Sequence, residues 1–306
     1  VDAHDPLLVE ALSNLVLPAK GISAAPEQIL ITGGVQQALT LLSGALLDSG
    51  RTMAMESPGY IDAARIAHRT GAGIHFFPVD QGGVLPDYSS DFDLLYVTPS
   101  HQHPTNVTLR ADRRREMLRQ AAIKDFLIIE DDFDSEIRYR GSPTPPLRAT
   151  DRSGRVVYLG TFSKFLAPAL RLGYVVGEPH LIEELRERRY LSNKHPSGSE
   201  QRALGLFITS GDYHQSLRKH RVDLKRKWET VAKALEEHFP WPVGEPPSGG
   251  LSYWITGPAG FDAERMATRA RELGVLVLPI EAALKTLTYG STREILRKVD
   301  LQLGAA

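Results

Sequence analysis

The sequence predicts an α/β fold in which a large domain with a mostly parallel sheet precedes a smaller α+β domain. Over about the first 180 residues, short β-rich runs alternate with helical patterns, the order typical of βαβ units. Beyond that point the pattern changes to charged helical segments followed by short mixed elements. We therefore predict a large domain over 1–180, and a connecting long helix with a small C-terminal domain over 181–306.

Each element follows from local composition and periodicity. The first strand, at 28–32, ends at a Gly33–Gly34 turn, after which 35–47 has the apolar face of a helix. Further strands are predicted at 52–56, 74–79, 93–98, 125–131, 155–161 and 172–177. Helices are predicted at 110–123, 181–191, 214–239, 262–274 and near 291–302, with a last strand at 275–280.

Composition limits the class of protein. The chain has 306 residues, of which 42% are hydrophobic and 24% charged, as in ordinary globular proteins. Its net charge of −1 argues against a broad nucleic-acid or acidic-membrane surface. The absence of cysteine excludes disulfides, thiolate catalysis and cysteine-ligated metals. No apolar run approaches the roughly 18 residues of a spanning helix, and the N-terminus lacks a signal-peptide pattern, so we expect a cytoplasmic protein.

The segment "GTFSKFLAPALRLGY" (160–174) places Lys164 directly after an apolar run. A lysine buried there would need a group to neutralise it. Such a lysine could form a Schiff base with a carbonyl cofactor. The hydroxyls of Thr161 and Ser163 and the guanidinium of Arg171 could hold the phosphate of that cofactor. An ordinary lysine in a surface loop is the alternative.

Three other segments have a functional and a structural interpretation. A carboxylate of "EDDFDSE" (130–136), at the end of a strand, could keep a pyridinium nitrogen protonated, or the segment is a solvated acidic turn. "TGGVQQAL" (32–39) could offer a helix N-terminus to a phosphate, or it is a plain turn between strand and helix. In "ESPGY" (56–60), Tyr60 could stack on a planar cofactor or simply pack against the protein.

A metal site is the weakest of the candidates. His101 and His103 of "TPSHQHPTN" (98–106) could bind a metal together with Asp131, Asp132 or Asp134. A His-x-His pair is common in loops, however, and local spacing fixes no third ligand. We therefore predict no metal.

Together, "ITGGVQQAL", "ESPGY", "VTPSHQHPT", "IEDDFDSEIRYRG", "VVYLGTFSKFLAPALRLGY" and "SGGLSYWI" resemble the fold-type-I pyridoxal-phosphate (PLP) enzymes of the aspartate aminotransferase superfamily. Within that superfamily they are most similar to the aminotransferase-like domain of the MocR/GabR family. The resemblance covers roughly residues 5–280. It implies a three-layer large domain, PLP as cofactor and a homodimer.

The resemblance also implies a role for each matching residue. Lys164 would be the internal-aldimine lysine and the proton shuttle, Asp131 would pair with the pyridine nitrogen, and Tyr60 would stack on the ring. The phosphate would be bound by the backbone N–H groups of Gly34 and Val35, with Gln36, and by Thr161, Ser163 and Arg171.

Several positions depart from the family pattern. Phe133 stands where the family usually has a tyrosine that donates a hydrogen bond to the phenolic oxygen of the cofactor. His103 replaces an asparagine that commonly contacts the same oxygen, and our hypothesis is that His103 takes over this hydrogen bond. The usual arginine that binds the substrate carboxylate is missing from "TLTYGS" (286–291), although Arg293 lies nearby. GabR-type proteins also carry an arginine just after the stacking tyrosine, where this chain has Ile61 and Asp62.

Two functions follow as expectations. The first is a PLP-dependent enzyme that acts on an amino acid or amine, most simply an aminotransferase. The second is the domain of a MocR/GabR-type transcription regulator that binds PLP and senses an amino ligand. About 100 upstream residues that form a winged helix would favour the regulator. Both functions imply a small-molecule amino ligand, and neither gives this chain by itself a nucleic-acid or membrane partner.

Overall fold

The computed structural model describes residues 4–164, 166 and 168–279. Within these residues eight strands form one sheet in the order β1-β8-β7-β6-β5-β2-β3-β4. The strands are β1 (Ile29–Thr32), β2 (Thr52–Ser57), β3 (Gly73–Asp80), β4 (Gly83–Val84), β5 (Leu94–Val97), β6 (Leu127–Asp132), β7 (Val156–Thr161) and β8 (Gly173–Val176).

The five strands β7, β6, β5, β2 and β3 run parallel to one another, whereas β1, β8 and β4 pair antiparallel. Every residue of β5 is buried, as is every residue of β6 after Leu127. Strands covered on both faces read as continuous apolar runs, which is why composition alone located them. The α/β fold with a mostly parallel sheet is thus confirmed.

The helices connect the strands. They are α1 (Pro6–Ala11), α2 (Leu17–Ala19), α3 (Val35–Leu46), α4 (Ile61–His68), α5 (Ala111–Lys124), α6 (Leu147–Thr150), α7 (Pro179–Asn193), α8 (Gly198–Thr209), α9 (Asp212–His238) and α10 (Ala263–Glu272). A π-helical segment, Leu12–Val16, joins α1 to α2. Asp5 begins α1 by accepting hydrogen bonds from Leu7 N at 3.0 Å and Leu8 N at 3.3 Å, which satisfies two N–H groups of the first turn.

Among the described residues, two clusters of buried apolar side chains lie in the core. In one, Leu8 and Leu12 of the N-terminal helical segment pack with Tyr158 of β7 and Leu204 of α8. The other joins strands β2, β5 and β6 to α5, and it includes Met117. Because helices pack against the sheet through these clusters, the loops at its edge have a rigid support on which they can carry function.

The chain divides into two compact units, Val1–Trp254 and Ile255–Ala306. The domain boundary predicted near residue 180 stays a prediction. The strand predicted at 275–280 is wrong for 275–279, which form no strand within the described part of the chain. A strand needs a neighbour to accept its hydrogen bonds, and composition does not reveal that neighbour. Residue 280 and the helix predicted near 291–302 lie outside the described residues.

Over the residues that the structure describes, no helix is both long enough and apolar enough to cross a membrane.

Candidate active site

Most of the predicted site residues lie at one edge of the sheet. Strands β2, β5, β6 and β7 end at Ser57, Val97, Asp132 and Thr161. Because parallel strands share their direction, their carboxyl ends open onto the same edge, where α/β proteins bind ligands. The side chains closing or following these strands are those of Tyr60, His103, Asp131, Phe133, Thr161, Ser163 and Lys164.

Lys164 lies in the turn after β7. Phe162 N donates a hydrogen bond to Leu172 O at 3.1 Å, and Ser163 N donates to Thr161 Oγ1 at 3.2 Å. These two hydrogen bonds fix the backbone at the start of the turn. The Lys164 side chain is exposed rather than buried, because the strand ends at Thr161 and the lysine lies beyond it. Its amino group is therefore accessible to a ligand.

The turn between β1 and α3 lies beside Arg171. Gly34 has φ +99°, a conformation that favours glycine, and a Cβ built on it would stand 3.9 Å from Arg171 Nη2. Arg171 itself has φ +48° and an exposed side chain. The 12-residue helix α3 begins at Val35, directly after Gly34. A helix N-terminus next to a guanidinium is a favourable environment for a phosphate.

Asp131 presents one unpartnered oxygen. Its side chain is 4% exposed, and Oδ2 accepts a hydrogen bond from the Tyr96 hydroxyl at 2.7 Å. The other oxygen, Oδ1, is buried and has no hydrogen-bond partner in the described part of the chain. Burial raises the pKa of Asp131 to about 7, against the hydrogen bond from Tyr96 and the positive charge of Lys164. A cationic N–H group placed against Oδ1 would satisfy this carboxyl and keep it ionised.

Three aromatic rings lie next to one another at the same edge. His103 contacts Tyr60 edge-on, with ring centroids 5.8 Å apart, and contacts Phe133 edge-on at 6.0 Å. Burial and the nearby charge of Lys164 both lower the pKa of His103, so its ring is neutral at pH 7 and has one N–H to donate. Gln36 Nε2 donates to the Tyr60 hydroxyl at 3.4 Å.

The acidic segment 130–136 is divided among several environments. Asp131 accepts a hydrogen bond from Tyr96, and the positive charge of Lys164 acts to lower its pKa. The others bind elsewhere: Glu130 accepts from Leu147 N and Arg148 N of α6, Asp132 and Glu136 from Lys20, and Asp134 from His101. The segment is thus neither a solvated turn nor a single binding surface.

The structure separates the histidines considered for a metal site. His101 Nδ1 lies 2.8 Å from Asp134 Oδ1 in a buried pair, while the His103 ring faces Tyr60 and Phe133. Asp132 is engaged by Lys20 Nζ at 2.9 Å. No cluster of three or more potential metal ligands occurs among the described residues.

Sequence reasoning missed two buried groups beside the site. One is Tyr96, the partner of Asp131; a tyrosine inside an apolar strand was the available signal, since its hydroxyl needs a hydrogen-bond partner. The other is Glu56, 2% exposed, whose Oε2 accepts from Thr98 Oγ1 at 2.6 Å and from Gln102 Nε2 at 3.2 Å. Burial raises the pKa of Glu56 to about 7, with the hydrogen bonds opposing the rise and Asp131 adding to it.

This architecture is that of the class I and II aminotransferases. The family model described as "Aminotransferase class I and II" matches residues 1–293, and the chain belongs to that family. The kynurenine aminotransferase of Pyrococcus horikoshii is 31% identical and superposes with a TM-score of 0.85, over 92% of this chain and 73% of that chain. The fold-type-I prediction is confirmed.

Several relatives are regulators. The chain is 39% identical over 279 residues to the HTH-type transcriptional regulator TauR of Rhodobacter capsulatus. The aligned region covers 91% of this chain and 58% of the regulator. It is 38% identical to the probable rhizopine catabolism regulatory protein MocR of Rhizobium meliloti, over 89% of this chain and 54% of that protein. It is also 31% identical to aromatic-amino-acid aminotransferase 1 of Thermococcus litoralis, over 89% of this chain and 68% of that enzyme. The chain therefore spans somewhat more than half the length of the two regulators and contains an aminotransferase-class domain related to theirs.

Proposed function

We propose that this chain binds PLP through Lys164 and acts on an amino acid or amine as an aminotransferase. The observation that carries the proposal is the buried, unpartnered Oδ1 of Asp131, at the same sheet edge as an accessible lysine. A pyridinium N–H is the kind of donor that this oxygen lacks, and the charge of Lys164 already acts on Asp131.

The other predicted residues would bind the remaining parts of the cofactor. Arg171 and the N-terminus of α3 at Gly34 and Val35, with Gln36, would bind the phosphate, since both offer positive charge to an anion. Thr161 and Ser163, in the turn of Lys164, would add hydroxyl donors. Tyr60 would cover one face of the ring, with His103 and Phe133 beside it.

PLP would supply an electron sink for the charge that develops when a bond at the amine-bearing carbon breaks. The protein's own groups would do the rest. Lys164 Nζ would take the proton from that carbon and return it as general acid. Asp131, held by Tyr96, would keep the ring nitrogen protonated. The neutral His103 would donate its N–H to the phenolic oxygen, which Phe133 cannot do.

A second candidate function is sensing of an amino ligand by the domain of a MocR-type regulator. The identities of 39% and 38% to TauR and MocR, over 91% and 89% of this chain, favour it. Such a domain would use the same residues to bind PLP and an amine without turnover. The segments considered for the substrate carboxylate, 286–291 and Arg293, lie outside the described residues.

The deciding experiment is a visible absorption spectrum of the purified protein with PLP, before and after addition of a panel of amino acids and amines. Transfer of the amino group predicts that one amine removes the visible band and leaves a pyridoxamine-like spectrum. A band that shifts and then persists would instead favour sensing. Absence of any PLP-dependent band would contradict both functions.

Replacing His103 by alanine is expected to raise, by about one unit, the pH at which the visible band of bound PLP changes colour. A donor to the phenolic oxygen competes with the proton that this oxygen shares with the neighbouring nitrogen, and its loss favours the protonated form. The measurement is a pH titration of absorbance. His75→Ala is the control, because His75 packs against Phe77 on β3. Equal titrations for His103→Ala and the unmodified protein would refute the His103 assignment.

Two further features belong to the same proposal. A homodimer is proposed from the resemblance to fold-type-I enzymes, and sedimentation of the protein with and without PLP tests it. Location in the cytoplasm stays a prediction.

A further inference from the structure

Hydrogen bonds join the turn that carries Tyr60 to the loop that carries His103. Gln102 Nε2 donates to Pro58 O at 2.8 Å, two residues before Tyr60, and to His103 O at 2.6 Å. The same nitrogen also lies 3.2 Å from Glu56 Oε2, so its two N–H groups are shared among three oxygen atoms. One buried amide thus connects the segment after β2 to the segment after β5.

Thr98 provides the second connection. Its hydroxyl donates to Glu56 Oε2 at 2.6 Å and accepts from His103 N at 2.9 Å, and its own N–H donates to Glu56 Oε2 at 3.2 Å. Three donors therefore converge on one oxygen of Glu56. Glu56, Thr98 and Gln102 are all buried, with exposures of 2%, 1% and 1%.

The backbone of Glu56 also confines the turn that carries Tyr60. A Cβ built on Gly59 would stand 2.3 Å from Glu56 O, so the chain folds back onto Glu56 more closely than any other residue at position 59 would allow. Tyr60 follows immediately, and its ring contacts that of His103. The segments that carry the two rings are thus hydrogen-bonded to Thr98 and Gln102, and both of these donate to the Glu56 side chain. No hydrogen bond or ring contact joins Glu56 itself to either ring in the described part of the chain.

We infer that Glu56 is a positioning residue that fixes the Tyr60 and His103 rings for cofactor binding through Thr98 and Gln102. The inference rests on the proposed function, because it takes the two rings as walls of the PLP site. A buried hydrogen-bond network that is fully satisfied holds its members in one arrangement, whereas removing the central acceptor frees its donors to reorient.

The test measures the dissociation constant of PLP by fluorescence titration and the visible circular dichroism of bound PLP. Both are compared between the 306-residue chain and its variants. Glu56→Ala is expected to weaken PLP binding about tenfold and to reduce the dichroic band, because the rings lose their fixed orientation. Glu56→Gln should remain within about threefold of the unmodified protein, since its amide oxygen can still accept from Thr98 and Gln102.

Glu130→Ala is the matched control. Glu130 is likewise a buried glutamate on a parallel strand whose pKa burial raises to about 7, but it binds the N-terminus of α6. Its loss should lower the melting temperature and leave PLP affinity unchanged. Equal affinities for Glu56→Ala and the unmodified protein, or an equal loss in Glu130→Ala, would overturn the inference.

Two further outcomes are informative. If Glu56→Ala does not fold, Thr98→Val decides, because it removes the hydroxyl link at nearly constant shape; unchanged affinity in that variant would overturn the inference. Absence of PLP binding by the unmodified protein would reject the proposed function itself, which separates the two failures.

Discussion

Replacing Lys164 by alanine is expected to abolish the visible absorption band that PLP acquires on binding and to reduce amino-group transfer by about three orders of magnitude or more. The lysine is the proposed covalent attachment point and the proposed general base, so both functions are lost together. Because its side chain is exposed, the melting temperature of the cofactor-free protein should barely change. Absorbance, borohydride trapping with peptide mass analysis, and turnover measure the effect.

Lys219→Ala is the control for this prediction, since Lys219 is an exposed lysine on α9. It should retain the band, the trapped peptide and the activity. An unchanged band in Lys164→Ala, or trapping at a different lysine, would refute the assignment of Lys164.

Replacing Asp131 by asparagine is expected to lower turnover by about two orders of magnitude or more. A neutral amide cannot hold the ring nitrogen protonated, although its oxygen can still accept the hydrogen bond from Tyr96. The variant should still bind PLP, because Lys164, Arg171 and the N-terminus of α3 are unaltered. Single-turnover absorbance with a reactive amine measures the loss.

The same substitution should stabilise the cofactor-free protein at alkaline pH. Burial raises the pKa of Asp131 from 3.8 to about 7 in the folded state, so the folded protein binds a proton there that the unfolded chain has released. Stability from this group is therefore fully present below pH 4 and is lost as the pH rises through 7. Asp131→Asn avoids this loss, and we expect it to be more stable at pH 8 by on the order of 2–4 kcal/mol, with no difference near pH 4.

Glu130→Gln separates the two effects of Asp131→Asn. Glu130 is also buried with a pKa raised to about 7, so its replacement should likewise reduce the pH dependence of stability. Glu130 accepts hydrogen bonds from Leu147 N and Arg148 N and has no proposed contact with the cofactor, so turnover should be retained. Denaturation of both variants at pH 4 and pH 8 checks the prediction. A turnover loss in Glu130→Gln equal to that of Asp131→Asn would contradict it.

The strands of the parallel sheet could be predicted from the sequence because they are buried. They are buried along most of their length, so each appears as a short apolar run bounded by turns, as at 93–98 and 125–131. The helical segment that begins at Pro6 was not predicted, although its apolar side chains pack into a core cluster. The short helix α4 was missed too, since eight residues give little periodicity to detect.

The acidic segment shows the limit of sequence reasoning most clearly. Five carboxyls within seven residues look alike in the sequence, and the family resemblance was needed to single out Asp131. Alternation along β6 and the turn after it send neighbouring side chains to different partners. Three of these partners, Lys20, Tyr96 and His101, lie far away in the chain.

The class of fold, most strands of the sheet and the residues that resemble a PLP site could be predicted from the sequence, because they depend on local composition and on motifs along the chain. The structure was needed to show that Lys164 is exposed, that Asp131 Oδ1 has no hydrogen-bond partner in the described part of the chain, and that Gln102 links Glu56 to the segments of Tyr60 and His103. These properties arise from burial and from hydrogen bonds between segments distant in sequence. Such contacts exist only once the strands have assembled into the sheet.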